Sequence, residues 1–284
     1  MTVRLGMLCD RIRPDERMII EAAKSKGVNL NVHNVDEIVF DTARDPETEF
    51  EKVVLQRSMS YFKSMHVTAL LENNGVKVVN SYNTAVVCGN KLLTSIALSK
   101  AGVPTPKTLV AFTEDSAIKA LEKIGYPAIL KPVVGSWGRL IAPLKDLESA
   151  RAILETREFM FPLYQVFYIQ EMMQNLLRDI RCFVIGDHAV AAMYRYPSPG
   201  EWRTNVARGG RAEACEITPE LEGLCVKAVE AVGGGAFGVD VMETPGGLVV
   251  HEVNYTTEFK ALTESSGVDV AGLILDHLID LARH

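Results

Sequence analysis

The chain has few features of several common protein classes. Its five cysteines, Cys9, Cys88, Cys182, Cys215 and Cys225, are odd in number and contain no Cys-x-x-Cys pair. They indicate neither a disulfide framework nor a zinc site, and a reduced, cytoplasmic setting fits. Cys215 has no sequence-adjacent base, so it does not read as a nucleophile. No apolar run approaches the ~20 residues of a transmembrane helix. The opening Met-Thr-Val-Arg-Leu-Gly-Met-Leu-Cys-Asp10 has too short an apolar core for a secretory signal and reads as a first strand. Repeats and low-complexity tracts are missing. So are Gly-x-Gly-x-x-Gly after the first strand, the mark of a dinucleotide site, and the Walker pattern Gly-x-x-x-x-Gly-Lys-Ser/Thr. A net charge of −6 argues against nonspecific nucleic-acid binding.

What remains is a chain of 284 residues, 48% apolar and 23% charged, long enough for one to three globular domains. Val3 to Cys9 predicts a strand, Glu16 to Lys26 a helix stopped by Gly27, and Val28 to Val35 a second strand. Asp41 to Glu51 reads as an acidic loop. Val53 to Leu55 begins a third strand, a helix runs to about Asn73, and Gly75 to Val79 is a fourth strand. Strands alternating with helices imply a parallel sheet covered on its faces. Ser81 to Ala101 predicts one helix that carries Cys88-Gly-Asn-Lys91. A smaller unit follows, with a strand at Thr108 to Phe112, a helix at Ser116 to Ile124 and a strand at Ala128 to Lys131. Pro219 to Val232 predicts a helix ended by three glycines, and Gly267 to Leu281 a closing helix.

Phe237 to Glu243 and Leu248 to Val253 read as two strands joined by the turn Thr244-Pro-Gly-Gly247. Folding about Gly246 brings Asp240 near Glu252, within one residue of register, and Asn254 shares the face of Glu252. Two carboxylates and an amide oxygen in an apolar ribbon suit Mg²⁺ held together with phosphate. The plainer alternative is a half-buried hairpin with solvated acids on its outer face.

Other segments carry chemistry less specifically. Lys91 alone would be an ordinary solvated helix lysine. Lys131 emerges just before Gly135-Ser-Trp-Gly-Arg-Leu140, a loop whose backbone N–H groups could face phosphate oxygens, although two glycines in a turn are commonplace. Phe167-Tyr-Ile-Gln-Glu-Met-Met173 could offer a strand edge to an adenine, with methionine against its ring, or be a plain core strand. Arg178-Asp-Ile-Arg181 reads as the start of a strand with both arginines facing one side. His188 to Tyr194 pairs back across Gly186-Asp187. Trp202-Arg-Thr-Asn-Val-Ala-Arg-Gly-Gly210 is a basic, glycine-rich loop in an acidic protein, and arginine forks suit phosphoryl groups.

In combination, the opening Asp10-Arg-Ile-Arg-Pro-Asp-Glu-Arg17, the Gly135 to Leu140 loop and Asn254-x-Thr-x-Glu-Phe-Lys260 resemble the ATP-grasp superfamily. The resemblance covers essentially the whole chain, lies in the RimK-like branch, and within it points to the LysX-type ligases of carrier-protein lysine biosynthesis. It implies an α/β (α+β) ATP-grasp fold. An amino-terminal parallel α/β domain would span residues 1–85 and the ATP-grasp region 86–284, with a central lid at about 107–170 and a carboxy-terminal antiparallel-sheet part at about 171–284. It also implies a reaction. ATP phosphorylates the side-chain carboxyl of the carboxy-terminal glutamate of an acidic LysW-type carrier, and the α-amino group of 2-aminoadipate attacks the acyl phosphate. ATP would be held by Lys91, Lys131, Gly135, Ser136, Trp137, Gly138, Gln170, Glu171, Met172, Arg178 and Asn205. Asp240, Glu252 and Asn254 would hold Mg²⁺, two ions in this superfamily. Arg203, Asn205 and Arg178 would be catalytic, and Arg208, Thr256 and Lys260 would meet substrate. A homo-oligomer, with neither nucleic acid nor membrane as partner, completes the expectation. The chain departs from the pattern at Asn90, where Asp is common. It also departs at Ala261, where aminoadipate-type enzymes carry Asn and glutamate-type ArgX relatives carry Gly. Tyr255-Thr-Thr257 sides with the aminoadipate type, while glutamate, or both amino acids, stay open. The stretch Arg195 to Arg211 is the candidate basic patch for the carrier. Alternatives are a RimK-like glutamate ligase acting on another acceptor and a nonenzymatic nucleotide sensor.

Overall fold

The computed structural model describes residues 4–43, 50–136, 138–173, 178–200, 204 and 209–283. The chain first lays down a parallel sheet in the order β2-β1-β3-β4, from β1 (Arg4–Cys9), β2 (Asn29–Asn34), β3 (Val53–Gln56) and β4 (Lys77–Val79). β1 and β3 are apolar in nearly every position, as strands covered on both faces must be. One face packs on α2 (Tyr61–Asn73), with Leu8, Val54, Val67 and Leu71 buried together. Leu5, Met7, Val53 and Leu55 turn to the other face and α1 (Pro14–Ser25).

The single helix expected over Ser81 to Ala101 is two. α3 (Tyr82–Cys88) stops at Gly89, and α4 (Lys91–Lys100) starts afresh. Asn90 is the reason: its side-chain oxygen accepts from the Leu92 and Leu93 N–H groups at 3.0 and 3.4 Å, a cap that an aspartate would also make. Lys91 is thereby the first residue of a helix.

A second sheet, order β5-β8-β6-β7, is antiparallel throughout. It comprises β5 (Thr108–Ala111), β6 (Ala128–Lys131), β7 (Ala142–Leu144) and β8 (Phe167–Glu171), and packs on α5 (Glu114–Ile124) and α6 (Leu147–Glu158) around its own core of Leu121, Leu130, Leu144, Leu154 and Phe167.

The third sheet has the order β11-β10-β9-β12-β13 and is antiparallel. Its strands are β9 (Asp179–Ile185), β10 (His188–Tyr196), β11 (Arg211–Ala214), β12 (Ala236–Thr244) and β13 (Gly247–Asn254). The β9–β10 hairpin turns at Gly186-Asp187, with Gly186 at φ 61°, as its sequence suggests. Strand alternation gives this sheet two unlike faces. Ile180, Cys182, Val184, Phe237 and Val239 pack on α7 (Pro219–Ala231). Phe183, Ile185, Met193 and Ala236 share one core with the first sheet through α8 (Lys260–Ser266) and α9 (Val270–Arg283). α8, β7, β11 and α6 are elements that the sequence pattern did not announce. No described helix is long and apolar enough to cross a membrane.

Candidate active site

The β12–β13 hairpin carries the site. Thr244 pairs with Gly247 around Pro245-Gly246, and the Thr244 hydroxyl donates to the Gly247 carbonyl at 2.7 Å. Carried back evenly from this turn, the ladder would set His251 opposite Asp240. A β-bulge prevents that: Val241 pairs with Val250 and Asp240 with Glu252, so His251 is the extra residue. The one-residue uncertainty in register is resolved by this bulge, which puts the two carboxylates face to face. Asn254, opposite Gly238, turns its amide nitrogen to Asp240 Oδ2 at 3.4 Å.

Asp240 is only 4% exposed and sits between two guanidinium groups. Arg181 donates through Nε to Oδ1 and through Nη2 to Oδ2 at 3.0 Å, and Arg195 Nη2 lies 3.1 Å from Oδ2. Burial alone would raise this carboxyl, but the charges of Arg181 and Arg195 outweigh it and hold it well below the usual carboxylate range. Glu252 opens to the cleft, and Lys91 Nζ lies 3.1 Å from its Oε1. Burial and then Asp240 would raise Glu252, yet Lys91 and Lys131 bring it below its ordinary value. The bulge residue His251 points Nε2 at Lys131 Nζ, 3.5 Å away. Burial and the neighbouring Lys131 push His251 down to about 3, so it is neutral near pH 7.

Facing this hairpin is the sheet of β5 to β8, with a cleft of about 260 Å³ between. Lys131, 4% exposed at the end of β6, donates to Gln170 Oε1 at 2.6 Å. Gln170 is locked in that orientation, because its Nε2 donates to Thr108 Oγ1 at 3.0 Å and the Tyr168 hydroxyl at 3.2 Å. Burial, helped by Lys91 and opposed by Glu252, pushes the Lys131 ammonium down to about 7. Lys91 also donates to the Gly135 carbonyl at 2.8 Å, tying the start of α4 to the glycine loop. Gly135 (φ 156°) and Gly138 (φ 65°) take left-handed conformations there. β8 is an inner strand, and Glu171 is engaged at both its N–H and its side chain by the Lys107 backbone, at 2.9 and 2.5 Å. Met172 and Met173 run past the sheet and line the cleft with Glu171.

Two sequence expectations are corrected. Arg178 and Arg181 do not face one side. They stand three residues apart, and strand alternation sends them to opposite faces. Arg178 bonds to Glu243 at 2.8 and 3.1 Å and lies over the Tyr194 ring, on the α7 side, away from Asp240. Arg195 is not part of a surface patch. It is 4% exposed and grips Asp179 with two bonds of 2.7 Å as well as Asp240. Arg211 does lie at the surface, paired with Glu213 and stacked on Tyr196. Asp179 also accepts from the Thr204 hydroxyl. Arg181, Arg195, Asp179, Thr204 and His251 therefore belong to the site, although the sequence reading gave none of them a catalytic, ATP-binding or metal-holding role. The spacing of Asp179 and Arg181 held the signal, since residues two apart share a face. Thr256 and Lys260 lie on the loop and helix after Asn254. Thr256 Oγ1 is buried without a partner, and Lys260 is paired with Glu264. Trp137, Arg203, Asn205 and Arg208 lie outside the described residues.

The donor set fits a hard cation. No group of three or more His, Cys, Asp or Glu side chains among the described residues is arranged for a metal. Asp240, Glu252 and Asn254 offer two carboxylates and one amide oxygen. Mg²⁺ is held in this manner when substrate phosphates and water supply the remaining oxygens. The surrounding cations agree, because Lys91, Lys131, Arg181 and Arg195 outnumber the three carboxylates and call for an anionic ligand.

Residues 88–278 match the model of the RimK-like ATP-grasp domain, and residues 5–87 that of the LysX preATP-grasp domain. The chain is 34% identical to the glutamate–LysW ligase ArgX of Sulfurisphaera tokodaii, over 97% of this chain and 98% of that one. It is 35% identical to the alpha-aminoadipate–LysW ligase LysX of the same organism, over 95% and 96%. Among solved structures, the RimK domain ATP-grasp protein of Sphaerobacter thermophilus superposes with a TM-score of 0.77 at 27% identity, covering 98% of this chain and all of that one. The chain belongs to the RimK-like ATP-grasp family of ligases and carries a LysX-type preATP-grasp domain.

Proposed function

We propose that the protein joins the α-amino group of 2-aminoadipate to the side-chain carboxyl of the carboxy-terminal glutamate of a LysW-type carrier. ATP is consumed, and an acyl phosphate is the intermediate. The observation that carries the reading is the opposition of Asp240, Glu252 and Asn254 to Lys91 and Lys131 across one cleft. Phosphoryl transfer needs fixed charges around the moving group more than covalent help.

In this reading Lys91 and Lys131 hold phosphate oxygens, and Met172 and Met173 pack on the adenine. Asp240, Glu252 and Asn254 hold Mg²⁺, which neutralises charge on the phosphates when bound. Arg181 and Arg195 keep the Asp240 carboxylate ionised and aimed. The loop from Gly135 to Gly138 covers the phosphates and keeps water from the acyl phosphate. Arg203 and Asn205 stabilise the developing negative charge, each contributing ~3 kcal/mol or ~100-fold in rate. Arg208 and Lys260 are the proposed contacts for substrate carboxylates.

Glutamate in place of 2-aminoadipate is the second reading. The ArgX relative is about as similar as the LysX one, and Ala261 stands where each type has its own residue. Purified protein, ATP, Mg²⁺ and carrier, mixed with each amino acid in turn, separate the two by the intact mass of the carrier. An aminoadipate adduct supports the first reading and a glutamate adduct the second. Neither adduct, with ATP turning over on another acceptor, would remove both.

A further inference from the structure

One arginine of the β5 to β8 unit is buried against the pattern of its own helix. In α6, Ala150, Leu154 and Arg157 recur at i, i+4 and i+7, and all three are buried. Arg157 thus fills a place on the stripe where an apolar side chain belongs. Three arginines are buried among the described residues. Arg57 is neutralised by Glu16 at 2.8 Å and Arg195 by Asp179 at 2.7 Å. Arg157 meets no carboxylate among the described residues. Its Nη2 donates to the Leu140 carbonyl, and its guanidinium carbon lies 5.6 Å from the centroid of the Tyr164 ring. Burial, opposed only by Tyr164, pulls it below its ordinary value. A cation matched so poorly is costly to bury, and an apolar side chain would pack there without that cost.

Leu140, the partner of Arg157, is equally out of place. Among the described residues it is the one non-glycine with a positive φ, 56°. Side chains resist that left-handed conformation because Cβ crowds the following carbonyl oxygen. The Leu140 side chain is exposed, so packing does little to hold it there. Its conformation sets the path of the chain between β6 and β7. Gly135, Ser136, Gly138 and Arg139 before it and Ile141 after it line the nucleotide cleft, whereas Leu140 and Arg157 do not. Two cations therefore hold this loop at two carbonyls: Lys91 at Gly135, 2.8 Å away, and Arg157 at Leu140.

We infer that Arg157 is a positioning residue for the nucleotide. It clamps Leu140 in its left-handed turn and so fixes where the loop meets the phosphates. A charge-assisted bond is the stronger kind of tie, and a buried one is shielded from competing water. Arg157 itself touches neither nucleotide nor metal and acts through the backbone of Leu140. The inference rests on the ATP-binding part of the reading above and deepens it.

The test is ADP binding by the full chain with Mg²⁺, read by calorimetry, together with the KM values for ATP, amino acid and carrier in ligation. Freeing one strained residue from its tie should weaken ADP binding about tenfold in Arg157→Met. The KM for ATP should rise alike, and the other two KM values should stay within about twofold. In a Leu140→Gly background the same Arg157→Met change should cost less than about threefold, because glycine adopts the turn without a clamp. An arginine that serves only the packing of α6 predicts an equal loss in both backgrounds, and that result would overturn the inference. So would a folded Arg157→Met protein that binds ADP as the wild type does. Leu140→Val keeps the test open should Arg157→Met fold poorly. A β-branched residue resists positive φ more strongly, and this side chain is exposed, so ADP binding should again fall about tenfold. Unchanged binding by that variant would count against the clamp. A wild type that binds ADP yet makes no adduct would remove the ligase reading and leave the clamp to be decided by ADP binding alone. A wild type that binds no ADP would remove both.

Discussion

The two faces of the β9 to β13 sheet hold similar residues to different ends. On the α7 side Arg178 lies 3.7 Å from the Tyr194 ring centroid and pairs with Glu243, while Arg211 stacks on Tyr196. These contacts seal the rim of a sheet whose middle is already apolar. On the cleft side Arg181, Arg195, Asp179 and Asp240 form a charged group within reach of the nucleotide cleft. A well-packed apolar set would hold that sheet as firmly, since a buried ion pair barely recovers its desolvation cost. The difference teaches that burial of charge on one face answers to a ligand, and stacking of charge on the other answers to packing.

Asp240→Asn breaks the cleft side most severely. It leaves Arg181 and Arg195 without their shared carboxylate and removes a metal donor. Ligation should fall by ~1000-fold or more, read as the initial rate of carrier mass gain, and Mg²⁺ should no longer strengthen ADP binding in calorimetry. Arg195→Met leaves Asp179 and Asp240 underpaired. Chemical denaturation should show a loss of about 3–5 kcal/mol, the cost of breaking a buried pair from one side.

Lys131 gives a pH signature. Its folded value of about 7 lies below the ordinary 10.5, so between these values the unfolded chain binds more protons and stability rises with pH. Lys131→Met should flatten that slope. Phosphates favour the ammonium, so ADP binding at about pH 8 should take up close to one proton. Calorimetry in buffers of different ionisation enthalpy reads this, and equal uptake in wild type and Lys131→Met would count against it. The smallest effect belongs to Arg178→Met on the far face: under ~1 kcal/mol in stability and within about threefold in ligation rate. An effect as large as that of Arg181→Met would erase the contrast between the faces.

Much of this was legible in the sequence because local chemistry decides it. The Thr244 to Gly247 turn and the apolar runs on either side announce the hairpin, and alternating strands and helices announce the first sheet. What escaped depends on partners distant in sequence. The bulge at His251 is set by pairing along two whole strands. The break at Gly89-Asn90 follows from a cap that outcompetes helix continuity, and Gly89 also leaves room for the Tyr61 ring. Arg195 carries no local mark of burial. Only its antiparallel pairing with Asp179 places it under the cleft.

The most direct measurement follows oxygen through the reaction. A carrier labelled with ¹⁸O in the side-chain carboxyl of its last glutamate would be incubated with ATP, Mg²⁺ and 2-aminoadipate. An acyl phosphate predicts about one ¹⁸O atom in each released phosphate for every carrier that gains the amino acid. Unlabelled phosphate, or ATP hydrolysis without a gain in carrier mass, would contradict the account.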